Sequence, residues 1–193
     1  CLVINYDVKD GLLEVQDWIR ANMAEDVDCF FSCDQFLEVV PKGMNKGEAV
    51  KMIVVMPDAT GTGERRGGKN MGYFNVRNWA YEDFFFQEFI PHIDKTFRTI
   101  ATKEGRAIAG LSMGGGGSVV YAQRHPEMFN ACYSTSGLLD HRYRVSIKNP
   151  DEIEWLWSVA QTSPVEYLRH ATAEQIEQLR TVRWMLDCGD DDG

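Results

Sequence analysis

Ala107-Ile108-Ala109-Gly110-Leu111-Ser112-Met113-Gly114-Gly115-Gly116-Gly117-Ser118-Val119-Val120 places three patterns in succession: a short apolar run, a glycine-rich turn around one serine, and the start of a helix-competent segment that continues through Tyr121-Ala122-Gln123-Arg124. The turn contains Gly110-x-Ser112-x-Gly114, the spacing of a nucleophile elbow, in which a serine is held on a sharp strand-to-helix turn. The backbone doubles back tightly there, so a side chain two positions before or after the serine is expected to collide with its neighbours. The following helix aims its N-terminus at the serine. Its N–H groups and positive dipole end favour an oxyanion forming beside Ser112.

A glycine-rich turn can also cradle phosphate. Residues 110–117 lack the Gly-Lys-Ser/Thr ending of a phosphate loop, and they do not follow the dinucleotide-binding spacing. The strand before and the helix after Ser112 are the context that the nucleophile reading requires.

Working outward, the chain has 193 residues, enough for one α/β domain with a substantial core. The net charge of −9 argues against nucleic acid as a partner, because phosphate contacts need a basic surface. No apolar run is long enough to cross a membrane as a helix. The five cysteines, Cys1, Cys29, Cys33, Cys132 and Cys188, form neither a disulfide framework nor a zinc pattern. Cys132 and Cys188 lie in apolar runs and read as buried small hydrophobes. The chain opens at Cys1 without a methionine, so a longer natural chain is expected.

Residues 2–6 read as a short strand and residues 12–23 as a helix. Residues 26–40 are ambiguous, with a buried helix face suggested by Phe30, Phe31, Phe36, Leu37 and Val40. Residues 51–57, apolar throughout, suit a parallel strand covered on both faces. A long irregular segment follows over residues 58–80 and carries Arg65, Arg66, Tyr73, Phe74 and Trp79; loops of this length in a compact domain are usually functional. Residues 82–98 read as a helix whose aromatics are mostly core, with Pro91 marking a kink or a helix start. A strand and its exit follow over 129–137. Residues 138–181 are mostly polar and helical, with an apolar cluster at Ile153, Trp155, Leu156 and Trp157. Within that segment Ser163-Pro164 opens one helix and residues 172–180 form another. A last strand spans 181–188. Strands alternate with helices, so the expectation is a single α/β domain over 1–193, with a mostly parallel sheet and helices on both faces.

Four blocks of sequence together resemble a known family: Val54-Val55-Met56-Pro57-Asp58, Gly110-Leu111-Ser112-Met113-Gly114-Gly115, His125-Pro126-Glu127-Met128-Phe129 and Cys188-Gly189-Asp190-Asp191-Asp192. They resemble the esterase D-like group of α/β-hydrolases, which includes S-formylglutathione hydrolases, tributyrin-type esterases and feruloyl or acetylxylan esterases. The resemblance runs from about residue 50 to the end. It implies hydrolysis of carboxylic esters by a Ser-Asp-His triad, with no metal or organic cofactor.

By this resemblance Ser112 is the nucleophile and the backbone N–H of Met113 one oxyanion donor. Asp192 matches the triad acid, in agreement with its place just past the C-terminal tip of a strand. Three successive aspartates can also be a solvated acidic turn, and Asp190 and Asp191 read that way. The family usually carries His-Gly in the loop that supplies the second oxyanion donor. Here the matching place reads Asp10-Gly11-Leu12, which makes Leu12 the second donor.

The larger departure is the base. The triad of this fold runs Ser, Asp, His, and no histidine follows Asp192 in these 193 residues. The expectation is that the chain lacks the last strand and the segment with the catalytic histidine, and is truncated at both ends. His92, His125, His141 and His170 read as ordinary surface or capping residues, with His141 the nearest to the catalytic edge. The substrate is expected to be a small-molecule or polysaccharide-linked ester, of acetyl or feruloyl type. Tyr73 and Trp79, with Trp155 and Trp157, are candidates to stack on a sugar or phenolic ring, or else belong to the core. Two rival functions stand beside esterase: a non-catalytic homologue that binds an ester or glycan, and an acyltransferase on the same scaffold. Oligomeric state is not legible.

Overall fold

The computed structural model describes residues 2–5, 52–57, 59, 73–76, 79–140 and 162–189, with backbone only for 2–5 and 76. The helices expected over 12–23 and 26–40, and the cluster at Ile153, Trp155, Leu156 and Trp157, lie outside them.

Strands β1 (Leu2–Asn5), β2 (Met52–Val55), β5 (Arg106–Leu111), β6 (Ala131–Thr135) and β7 (Arg183–Asp187) form one sheet in the order β2-β1-β5-β6-β7. β5, β6 and β7 are parallel, while β1 runs against both β2 and β5. Four of the five strands therefore share one direction, the mostly parallel sheet expected from the sequence. The run at 51–57 was expected to pair in parallel, but β2 pairs antiparallel with β1. Ile53, Val54 and Val55 are nonetheless all buried. A continuous apolar run reports burial on both faces; the direction of the neighbouring strand comes from connectivity.

The segment over 58–80 is not irregular throughout. β3 (Asn75–Val76) and β4 (Trp79–Ala80) form a small antiparallel ladder before the helical stretch begins. That stretch is α1 (Tyr81–Asp83), a π-helical turn over Phe84–Phe89, and α2 (Ile90–Thr96). Pro91 sits in the first turn of α2, where its missing N–H and fixed φ are tolerated. The helical pairing thus changes from π to α just ahead of the proline, which is the helix start expected there.

Ile90, Ile93 and Phe85 from this stretch pack with Ile53, Val55, Ile108, Tyr121, Phe129 and Cys132 in the core. Each fully buried Ile or Phe contributes roughly 1.5–3 kcal/mol by area removed from water. Arg106, 4% exposed, donates to Asp94 at 2.7 Å and to the Met128 carbonyl at 3.2 Å, tying the base of β5 to α2.

Helix α3 (Met113–Arg124) follows β5 directly and packs on β5 and β6. Four of its first five residues are glycine, each costing roughly 1 kcal/mol against alanine in a helix interior. Tertiary burial overrides that cost: residues 115–123 are all buried. Helices α4 (Pro164–His170) and α5 (Ala173–Leu179) start at the caps the sequence suggested. The Ser163 Oγ accepts from the Glu166 N–H, and Thr172 forms a capping box with Gln175.

Cys132 is 1% exposed, as expected. Cys188 is exposed, against expectation. It follows β7, the outermost described strand on its side of the sheet, where Met185, Leu186 and Asp187 are exposed as well. An apolar sequence is buried only where a neighbouring layer covers it.

Candidate active site

Ser112 stands between the last residue of β5 and the first of α3 with φ 54° and ψ −116°. This left-handed backbone is costly for a residue with a Cβ and persists only where the surroundings over-determine it. Here three hydrogen bonds fix it. The Ser112 N–H donates to the Thr135 carbonyl at 2.9 Å, and its carbonyl accepts from the N–H groups of Gly116 at 3.0 Å and Leu138 at 3.2 Å. The first anchors the serine to the end of β6, the second to α3, and the third to the chain leaving β6.

The glycines allow these layers to close. A Cβ on Gly110 would lie 2.1 Å from the Gly114 carbonyl group, a backbone clash with no flexible partner to yield. One on Gly115 would meet the Ser134 Oγ at 2.7 Å and the Gly137 Cα at 2.9 Å. One on Gly116 would meet the Leu138 carbonyl oxygen at 2.4 Å. Gly114 corrects the expectation drawn from the motif. Its Cβ would find, among the described residues, only the Tyr73 Oη at 3.7 Å, an ordinary contact. The collision at the elbow is carried by the glycine two before the serine and by those at positions 115 and 116.

Of the residues singled out by sequence, Met113 is the first residue of α3, directly after the serine. Leu12, Asp192 and His141 lie outside the described residues. Tyr73 lies along α3: its ring packs where a Gly117 side chain would be, and its carbonyl accepts a hydrogen bond from the Tyr121 hydroxyl. Trp79 stacks on Tyr81 with centroids 5.6 Å apart, and both Tyr73 and Trp79 are partly buried against the core.

The sheet register puts Leu111, Thr135 and Asp187 in one row across β5, β6 and β7. The Ser136 N–H donates to the Asp187 carbonyl at 2.7 Å, and Ser136 has the only other positive φ outside glycine among the described residues, 45°. The Tyr133 hydroxyl donates to the Asp187 carboxylate. β7 therefore ends on the edge that carries Ser112, two strand spacings or roughly 10 Å away.

The described histidines are elsewhere. His125 caps the far end of the 12-residue α3, roughly 18 Å along the axis, with its ring over Phe86 at 3.8 Å between centroids. His92 is exposed on α2, and His170 is exposed beside Glu166. Among the described residues no group of three or more His, Cys, Asp or Glu side chains could hold a metal ion, and no helix is long and apolar enough to cross a membrane.

Sequence reasoning missed Tyr121, which holds Tyr73, and the packing of Gly137 and Leu138, just past β6, against the elbow. Tyr121 lies four residues after Gly117 and so on the same helix face, a signal that could have been read. The pairing of Leu138 with Ser112 spans 26 residues and left no local signal.

This geometry has relatives. A solved ferulic acid esterase is 40% identical, with a TM-score of 0.72 over 84% of this chain and 60% of its own. An esterase of Mycobacterium tuberculosis is 38% identical over 86 residues, which are 45% of this chain and 18% of that protein. An endo-1,4-beta-xylanase/feruloyl esterase of Xylanibacter ruminicola is 39% identical over 77 residues, 40% of this chain and 10% of that protein. The chain thus spans less than two thirds of the length of each. The profile of the family described as "Putative esterase" matches residues 8–193, nearly the whole chain, and the chain belongs to that family.

Proposed function

We propose that this chain acts as a serine carboxylic ester hydrolase, with Ser112 as nucleophile and Asp192 as triad acid. The observation that carries the reading is the backbone of Ser112: a costly φ of 54° held by three hydrogen bonds at the junction of β5 and α3. The row through Leu111, Thr135 and Asp187 supports Asp192, since the chain leaves β7 on the serine's edge five residues before it. The base is a histidine outside the described residues, and the triad order places it after Asp192.

In the first half-reaction the Ser112 Oγ bonds to the ester carbonyl carbon as its proton passes to the imidazole. The carbonyl oxygen becomes an oxyanion held by the Met113 N–H, with the Leu12 N–H as second donor. Collapse breaks the bond to the alkoxy oxygen, which takes the proton and leaves as the alcohol. Water then attacks the acyl-enzyme, and the acid departs. The substrate class is acetyl or feruloyl esters, including those linked to carbohydrate. The ferulic acid esterase at 40% identity supports this, as do the aromatic Tyr73 against α3 and Trp79 stacked on Tyr81.

The test is labelling with a fluorophosphonate probe, followed by peptide mapping, in the full natural polypeptide. The label is expected on Ser112. Ser134 is 1% exposed, and the Ser118 Oγ donates to the Gly114 carbonyl at 2.8 Å. Ser112→Ala should reduce aryl-ester hydrolysis by roughly 10³-fold or more. Label on another serine with Ser112 bare, or full activity in Ser112→Ala, would overturn the reading.

A further inference from the structure

Gly114, Gly117 and Tyr121 lie three and four residues apart on α3, so they share one helix face. Tyr73 lies along that face. At Gly117 a Cβ would stand 2.8 Å from the Tyr73 Cδ2, 3.3 Å from its Cγ and 3.5 Å from its Cε2, so the ring occupies the space a side chain would need. One turn toward the helix start, the Tyr73 Oη is the atom nearest a Cβ on Gly114, at 3.7 Å. One turn the other way, the Tyr121 hydroxyl donates to the Tyr73 carbonyl. Tyr121 is itself fixed by Phe85 and Phe86, with ring centroids 4.9 and 5.0 Å away. Burial, then the Glu82 carboxylate, raises its phenol above the ordinary tyrosine range, so it remains a donor at neutral pH. Tyr73 is thus mounted at two points, and its phenol is delivered to the first turn of the nucleophile helix, two residues from Ser112.

We propose that Tyr73 is a specificity-determining residue that walls the acyl group carried on Ser112, and that Gly117 and Tyr121 are positioning residues that set its phenol there. The favoured acyl groups are flat aryl-acyl groups of hydroxycinnamoyl type. Such a group can lie against an aromatic wall over the side-chain-free surface of Gly114, whereas an acetyl group is too short to reach it. The proposal rests on the esterase reading and names the part of the same site that sorts substrates.

The test compares a methyl hydroxycinnamate with 4-nitrophenyl acetate in the full natural polypeptide. Gly117→Ala displaces the ring, and Tyr121→Phe releases the carbonyl. Either should lower the cinnamate-to-acetate ratio of kcat/KM about tenfold, mainly through KM for the cinnamate. In a Tyr73→Ala background, Gly117→Ala should change that ratio by less than about twofold, because the two residues act as one unit. Tyr121→Phe, which keeps ring volume and removes only the hydroxyl, supplies the same readout, alone and in the Tyr73→Ala background, if Gly117→Ala does not fold. Equal losses on both esters, or independent effects of Gly117→Ala and Tyr73→Ala, would overturn the proposal. A bare Ser112 after fluorophosphonate treatment would instead overturn the esterase reading.

Discussion

At its N-terminal end α3 is held by backbone against backbone: Gly110 against Gly114, Gly115 against Gly137, Gly116 against the Leu138 carbonyl, and the Ser112 N–H on the Thr135 carbonyl. At its C-terminal end the contacts come from side chains. Arg124 grips both carboxylate oxygens of Glu82 at 2.7 and 2.6 Å, and the His125 ring lies over Phe86. The basic Arg124 also suits the negative end of the helix dipole. The glycine end brings a hydroxyl to a fixed point with almost nothing between the layers, which suits the positioning of a reacting atom and leaves no room for an added atom at residues 110, 115 and 116. The side-chain end has rotamer freedom and can absorb change. A site that must hold geometry within a fraction of an ångström belongs at the first kind of end.

Breaking the glycine end should have the largest effect. Gly110→Ala puts a methyl group 2.1 Å from the Gly114 backbone, so urea unfolding should show a loss of about 3 kcal/mol or more, with labelling of Ser112 abolished. Breaking the other end should cost less. Arg124→Met leaves Glu82, whose side chain is 11% exposed, without its partner, and about 1–3 kcal/mol should be lost while Ser112 still takes the probe. Loss of labelling in that variant would show that the two ends are not independent.

Gly114→Ala sharpens the comparison from within the motif. Its Cβ makes only an ordinary contact, so stability should shift by no more than about 1 kcal/mol despite the residue's place in Gly-x-Ser-x-Gly. Mass-mapped alkylation at pH 8 extends the contrast to the sheet with no change in stability. Exposed Cys188 should react in the native protein and Cys132 only after unfolding. Burial pushes the Cys132 thiol from its ordinary 9.0 up to about 12. The fold's preference for that neutral thiol is fully in place below about pH 9 and is lost as pH climbs toward 12.

Sequence by itself determined the elbow, because strand, glycine turn and helix are all local and contiguous over residues 106–124. It determined the strands at 2–5, 52–55, 131–135 and 183–187 and the caps at Ser163 and Thr172, whose signals also lie within a few residues. Only the tertiary structure decided what those elements meet. The direction of β1 against β2 depends on how the chain returns. The exposure of Cys188 depends on what covers β7. The freedom of Gly114 beside the confinement of Gly110 depends on atoms of other segments. The same holds for Tyr73, whose place along α3 is fixed by Gly117 and by the Tyr121 hydroxyl. Periodicity and turn chemistry act over a few residues along the chain, whereas steric closure acts through space between segments that the sequence separates.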